Sequence, residues 1–337
     1  MIHQKTNEYA PIFVSVHTRL HHFKKCIESL LSNPEAKFSD IYISSDSYRN
    51  DKEKTQVEAI RNYIKSIKGF KSVNPIFFKK NVGIEFAGKF CFDKIFNKSN
   101  SIIVLEDDIE VSPLFLKYIN TGLCFYENDP KVFSICGFSP IILGENNFSE
   151  NFLFKSNDWN AWGFGTWKSK FNAFTNFRNS NEMFSDIKLN IGSRTFRKKL
   201  DNLSLEHYPH LLYSEKQKIT PEFDYLAGYY CLKNNFFNIY IAKSFTINNG
   251  NDGSGLRAKN NNEISSKMKS EALSNEILEF KKLNDLRSIE KLPHYSKSSL
   301  VIFIKILLIK FRLFKVGKNV NNIFYEFKTN LYEKIIR

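Results

Sequence analysis

From residue 12 to residue 136, short apolar runs alternate with amphipathic stretches, the spacing expected of βα units feeding a mainly parallel sheet. Ile12-Phe-Val-Ser-Val16 predicts a buried first strand. Leu20, Phe23, Ile27, Leu30 and Leu31 then recur on one helical face before Pro34. Ile41 to Ser44 predicts a second strand ending at Asp46, residues 52–68 a polar helix, and Pro75 to Phe78 a third strand. A helix over residues 85–96 and a strand from Ile102 to Leu105 follow. Pro113 falls where a first helical turn would open, and Phe133 to Cys136 closes the alternation. The fold class predicted is α/β.

From 137 to about 260 the regularity falls, and Gly, Asn, Ser and aromatic residues interleave as in a loop-rich, substrate-facing half. Asn157-Asp-Trp-Asn-Ala-Trp-Gly-Phe-Gly-Thr-Trp167 is dense in rings and glycines. It reads either as a platform for a flat polar ligand such as a sugar or as a tight aromatic core with turns. Residues 300–315 are strongly apolar, but charges interrupt them and no uncharged run is long enough for a membrane span. Lys305, Arg312 and Lys315 share one helical face there. That stripe predicts an interfacial helix drawn to anionic lipid, or else a helix packed on the main domain.

At 337 residues and 42% hydrophobic, the chain can bury a core as one large or two smaller domains. Its five cysteines form no Cys-x-x-Cys pair, which argues against a disulfide framework or a thiolate zinc site and predicts buried fillers. No His-Glu-x-x-His pattern occurs, so no metal role falls to histidine. The polar first residues lack the apolar stretch of a signal peptide, and a cytoplasmic protein is expected. A net charge of +14 favours a polyanion or an anionic membrane as partner.

The chemistry concentrates where the apolar strand Ile102 to Leu105 runs straight into Glu106, Asp107 and Asp108. Clustered acids repel one another and lose hydration, so they are best tolerated where a divalent cation or polar substrate neutralises them. The carboxyl end of a parallel strand is also where ligands bind in open α/β sheets. A hard cation on Asp107 and Asp108 oxygens would act as a Lewis acid toward a leaving diphosphate. Arg19 and Asp46, at neighbouring strand ends, supply a basic and an acidic group for a nucleotide pocket.

Four segments in order, Pro11-Ile-Phe-Val-Ser-Val-His-Thr-Arg19, Ile43-Ser-Ser-Asp46, Val104-Leu-Glu-Asp-Asp-Ile-Glu-Val-Ser-Pro113 and Trp162-Gly-Phe-Gly-Thr-Trp167, resemble GT-A-fold glycosyltransferases. The resemblance is to the N-acetylglucosaminyltransferases that initiate complex N-glycans and to bacterial enzymes with the same Glu-Asp-Asp motif. It implies a single Rossmann-type mixed sheet flanked by helices, with a C-terminal helical extension. Residues 9–136 would then form the nucleotide-sugar-binding half, 137–260 the acceptor-binding and catalytic half, and 261–337 a basic tail for membrane association. It further implies that Asp108 binds Mn²⁺ (or Mg²⁺), that Glu106 and Asp107 contact the UDP-sugar donor, and that Arg19 and Asp46 bind the nucleotide. Asp224, in Phe223-Asp224-Tyr225, matches the general base of an inverting displacement, or else serves as a helix N-terminal acid; Asp158 is the next carboxylate in line.

Ser244 to Gly255 resembles a flexible loop whose glycines permit a lid over donor phosphates, although an ordinary surface turn has the same composition. The expected activity is metal-dependent transfer of a sugar, an N-acetylhexosamine among the options, from a UDP-sugar to a glycan acceptor. A lipid-linked acceptor in bacterial surface polysaccharide synthesis, at the inner face of the cell membrane, fits the basic tail. Two other classes are compatible with parts of the sequence: a nucleotidyltransferase also uses acids at strand ends, but no Gly-rich phosphate loop lies near the first strand, and the net charge suits a basic nucleic-acid-binding protein, but no binding module is visible. Nucleic acid is therefore not expected as a partner.

Overall fold

The computed structural model describes residues 9–141, 143, 148–204, 206–252, 254, 273–290 and 299–310. Four parallel strands carry the first half: β1 (Ile12–Val16), β2 (Asp40–Ser45), β3 (Ser72–Phe77) and β4 (Ser101–Glu106), laid side by side as β4-β1-β2-β3. The crossovers between them are α1 (Leu20–Leu31), α2 (Asp51–Ser66) and α3 (Ile84–Phe96). β1 is buried on both faces because helices cover both sides, which is why its residues are apolar without alternation. Each of these elements lies within two or three residues of its expectation from the sequence.

The chain continues through β5 (Ile109–Val111), α4 (Phe115–Phe125), β6 (Val132–Cys136), β7 (Leu153–Ser156) and β8 (Phe164–Trp167). The helix expected to open at Pro113 begins instead at Phe115. The intervening β5 pairs antiparallel with β10 (Thr246–Asn248), and Ser112 Oγ, accepting from the Leu114 amide at 3.1 Å, turns the chain into α4. With β9 (Phe237–Ile241) and β11 (Arg287–Ser288), the main sheet has nine strands in the order β11-β7-β9-β6-β8-β4-β1-β2-β3. β8 runs antiparallel to both β4 and β6, so the sheet is mixed but mostly parallel.

The expectation of a loop-rich second half does not hold. Between β8 and β9 lie five helices: α5 (Lys168–Arg178), α6 (Met183–Gly192), α7 (Arg194–Leu203), α8 (His207–Gln217) and α9 (Phe223–Asn234). They are short, and α9 buries six consecutive residues, Leu226 to Cys231, leaving no single apolar stripe for periodicity to detect. Two of the three tryptophans of the ring-rich segment, Trp159 and Trp167, are buried, and Trp159 packs edge-on against Phe164. They are core rather than a sugar platform. The cysteines behave as expected: four are buried and only Cys124 is exposed.

Residues 273–290, grouped with the tail by the sequence, lie as extended chain along the domain. Phe280 stacks on Tyr118 and Tyr126 donates to the Lys281 carbonyl. The described part of the tail is α10 (Ser299–Lys310), which docks on α8, with Ile309 and Ile306 packing into the cluster that holds Tyr208, Leu211 and Leu212, and Lys305 Nζ 3.7 Å from Glu206 Oε1. Phe303 stays exposed on its outer side. Arg312 and Lys315 lie outside the described residues. Among the described residues no helix is long and apolar enough to cross a membrane.

Candidate active site

β4 sits near the middle of the sheet and delivers Glu106 at its carboxyl end, opposite Ser15 of β1. Asp107 and Asp108 make the turn into β5, and the pairing of β5 with β10 braces that turn from the far side. Arg19 is the residue at which β1's exit becomes α1, so its guanidinium reaches across the same edge. Its Nη1 lies 2.7 Å from Asp108 Oδ2, and its Nη2 pairs with Asp107 Oδ1. One fork of donors thus holds two carboxylates of a single turn.

Three carboxylates against one guanidinium leave a formal charge of −2 in a nearly dry position. Burial, then the charges of Asp108, Asp224 and Asp107, push the Glu106 carboxyl up to about 8, while Arg19 pulls the other way. Burial likewise raises Asp107 to about 6 against the opposing pull of Arg19. Asp108 is 6% exposed, and its Oδ1 is buried with no hydrogen-bond partner. An orphaned carboxylate oxygen costs free energy unless something outside the chain engages it, and a hard cation suits it by charge and by ligand type. Among the described residues no three His, Cys, Asp or Glu side chains form a cation-holding group. A cation here would take Asp108 as its ligand from the protein and the rest of its oxygens from outside the chain.

The loop after β10 lies directly over these acids. The Asn249 amide donates to the Asp108 carbonyl at 2.9 Å, and Gly250 packs so closely on the Asp108 carboxylate and Arg19 that a Cβ would overlap them. Asp252 Oδ2 is 2.9 Å from His22 Nε2, one turn along α1 from Arg19. The segment proposed from sequence as a lid or a surface turn therefore touches the acidic turn through its described residues; 253 and 255 lie outside them.

Asp46 reaches the same edge, but its oxygens are held by main chain: the amides of Ser47 (2.8 Å), Val82 (3.0 Å) and Gly83 (2.9 Å) donate to them. Gly83 has φ +80°, a conformation that favours glycine, and opens α3 at this point. Arg61, which carries no signal of its own within the polar sequence of α2, ties the same corner by donating to the carbonyls of Ser45, Asp46 and Phe78.

On the opposite flank, Asp224 is exposed in the first turn of α9. Asp158, in the β7–β8 connection, has its carboxyl pushed up to about 7 by burial, with the Trp159 amide opposing and Asp224 adding to the rise. Asp224 and Gly228 share a face of α9, being four residues apart. A Cβ on Gly228 would stand 2.7 Å from His207 Nε2 and 3.6 Å from Asp158 Oδ1, so Asp158 abuts α9 one turn beyond Asp224. His207 is buried with neither ring nitrogen hydrogen-bonded, and burial lowers its pKa to about 4, keeping it neutral. The structure thus gathers Arg19, Asp107 and Asp108 in direct contact, with Glu106 beside them and under the influence of their charges. Asp224 and Asp158 face them from the helical side, and Asp46 braces the far corner.

The raised Asp158 carboxyl fixes the sign of a pH effect. A folded-state value of about 7 lies well above the ordinary range of an aspartate, so the native state holds the extra proton between the two and loses stability as pH rises through that window. We expect the stability of Asp158→Asn to gain on wild type from pH 5 to about pH 7, by no more than about 1.4 kcal/mol per pH unit, and the gain to level off above, with melting temperatures following the same course. Parallel melting curves across that range would remove Asp158 from this account.

Several contributors carry no strong sequence signal. His22 is three residues after Arg19 and so shares its helical face, a clue available from spacing alone. Gly250, Gly228 and His207 meet the acids only through contacts between residues distant in sequence, Gly250 with Asp108 and Gly228 and His207 with Asp158.

The sequence profile of the GNT-I family matches residues 2–147. No curated protein sequence matches the chain. Among solved structures, S. aureus TarS 1-349 is similar at 9% identity over 49% of this chain and 49% of its own, with a TM-score of 0.35. The glycosyltransferase GlyE of Streptococcus pneumoniae TIGR4 is similar at 12% identity, covering 69% of this chain and 45% of its own, TM-score 0.34. GalNAc-T7, solved with UDP, GalNAc and Mn2+, is similar at 10% identity, covering 71% and 43%, TM-score 0.41. The chain spans about half the length, or less, of each of these proteins. It resembles GT-A-type glycosyltransferases, and its mixed, mostly parallel sheet flanked by helices is the architecture that resemblance implied.

Proposed function

We propose that this chain is an inverting, divalent-metal-dependent glycosyltransferase that moves a sugar from a UDP-sugar to a glycan acceptor. The observation that carries the reading is the buried, unpartnered Asp108 Oδ1 within an acidic turn at the carboxyl end of a central strand. Asp108 would hold the cation, which when bound neutralises negative charge on the leaving diphosphate. Arg19 keeps the two aspartates in place and offers positive charge beside the phosphates. Glu106 is positioned to meet the donor sugar, and Asp46 shapes the nucleotide corner through the main chain it orders. Asp224 accepts the proton of the acceptor hydroxyl as its oxygen bonds to the anomeric carbon and the bond to the diphosphate breaks, which inverts that carbon.

A lipid-linked acceptor at the inner face of a bacterial membrane is the setting we infer from the excess of basic residues. Residues 298–337 hold eight Lys or Arg and two Glu, a net +6 (8 − 2). Isothermal titration with UDP, with and without Mn²⁺, followed by a screen of UDP-sugars for metal-dependent hydrolysis, tests the assignment. Binding and hydrolysis should both require the metal. Equal UDP affinity in its absence, or no hydrolysis of any UDP-sugar, would reject it.

A further inference from the structure

The corner between α6 and α7 carries a feature that the transfer site does not use. From Ile187 to Leu200 the chain has five basic residues and no acid. Lys188, Arg194, Lys198 and Lys199 are all exposed, and among the described residues none of the four forms an ion pair. Next to Lys188 and five residues before Arg194 in the chain, on a helix that packs against α7, Leu189, at 77%, is the most exposed large apolar side chain of the described residues, while Ile187 and Ile191 on either side are buried and leave it on the outer face.

We propose that the α6–α7 corner is a contact surface for anionic phospholipid, separate from the tail. Unneutralised lysine and arginine suit a negative headgroup plane, and an apolar residue standing among them gains by entering the acyl boundary, whereas a free polyanion has no use for it. The position fits a membrane-borne acceptor: α7 packs on α9, whose first turn holds Asp224, with Phe196 5.6 Å from Tyr229 between ring centroids. α8, against which both α6 and α7 pack, also receives α10, so this corner and the tail helix belong to one helical layer. The proposal rests on the glycosyltransferase reading only for its purpose; the lipid contact itself needs neither donor nor metal.

The test is sedimentation of the full-length protein with phosphatidylcholine vesicles containing or lacking phosphatidylserine. Replacing Lys188, Arg194, Lys198 and Lys199 together with alanine should weaken binding to the anionic vesicles about tenfold or more. Leu189→Ser alone should weaken it several-fold, because loss of an inserted side chain acts even when the charges remain. An equal loss of charge at Lys65, Lys68, Lys79 and Lys80, exposed on the other half of the molecule, should matter much less. If the quadruple variant fails to fold, Lys199→Glu, a single exposed change, replaces it and should still weaken binding. Undiminished binding by the variant lacking the four basic residues, or by Lys199→Glu in its place, an equal loss in the control set, or indifference to Leu189→Ser each overturns the proposal. Failure of UDP-sugar transfer leaves all of these readouts intact, so the two readings fall separately.

Discussion

Replacing Asp108 with alanine is expected to abolish metal-dependent binding of UDP while leaving the protein folded, with a melting temperature equal to or above that of wild type. Two opposing effects decide this. Within the acidic turn Asp108 has a buried, unpartnered oxygen, so its loss would remove the protein's own ligand for a cation bridging to a diphosphate. Its loss also takes one negative charge from a turn where Asp108 helps to push up the Glu106 carboxyl. Arg19 keeps Asp107 as partner, so no buried cation is stranded. Titration calorimetry with UDP and Mn²⁺, paired with thermal melts, separates binding from stability. A variant that still binds UDP only with metal would place the ligand elsewhere; one that unfolds would make Asp108 a structural residue first.

How much of this was legible in the sequence follows from how local each feature is. Glu106, Asp107 and Asp108 are adjacent, and the apolar run before them announces a strand end, so both element and chemistry could be read directly. Arg19 and Asp46 were legible as polar residues just past apolar strands. That the two differ, Arg19 gripping the acids and Asp46 accepting main-chain amides from Val82 and Gly83, depends on a fold-back of more than thirty residues. Of the helical layer, α8 and α9 are buried on most sides and lose the one-sided pattern by which helices are recognised, whereas α5 to α7 keep it, as Met183, Ile187 and Ile191 do on α6, but over only ten or eleven residues each. The tryptophan-rich segment misled for a related reason: rings and glycines serve a packed core as well as a ligand platform. The burial of Trp159 and Trp167 decides for the core.

The pressure on the acids comes from geometry rather than composition. Glu106 and Asp158 belong to different connections, yet Asp224 raises the carboxyls of both, which links the strand-end acids to the helical side. Water excluded from that space strengthens every charge within it, so a cation, a protonated carboxyl or a substrate hydroxyl is worth more there than at the surface. The same argument explains why Gly250 must be small. A side chain there would separate the loop after β10 from Asp108 and Arg19 and let water reach them.

Asp224→Asn should lower turnover about 10²- to 10⁴-fold while leaving UDP affinity and its metal dependence nearly unchanged. The amide keeps the shape of the carboxylate but cannot accept the acceptor's proton, so the loss belongs to the chemical step. Asp224 is exposed at the start of α9 and lies across from Arg19 and Asp108, where the diphosphate would sit, so donor binding has no cause to weaken. Removing its charge should also let the Glu106 and Asp158 carboxyls fall, since Asp224 contributes to raising each. The pH profile of any residual turnover would therefore shift to lower pH. Steady-state kinetics across pH with a soluble acceptor analogue measure both effects. If Asp224→Asn transfers sugar at a near-normal rate, the base lies elsewhere, and Asp158→Asn becomes the variant that should lose turnover, because its carboxyl, poised near 7, can take and release a proton at neutral pH.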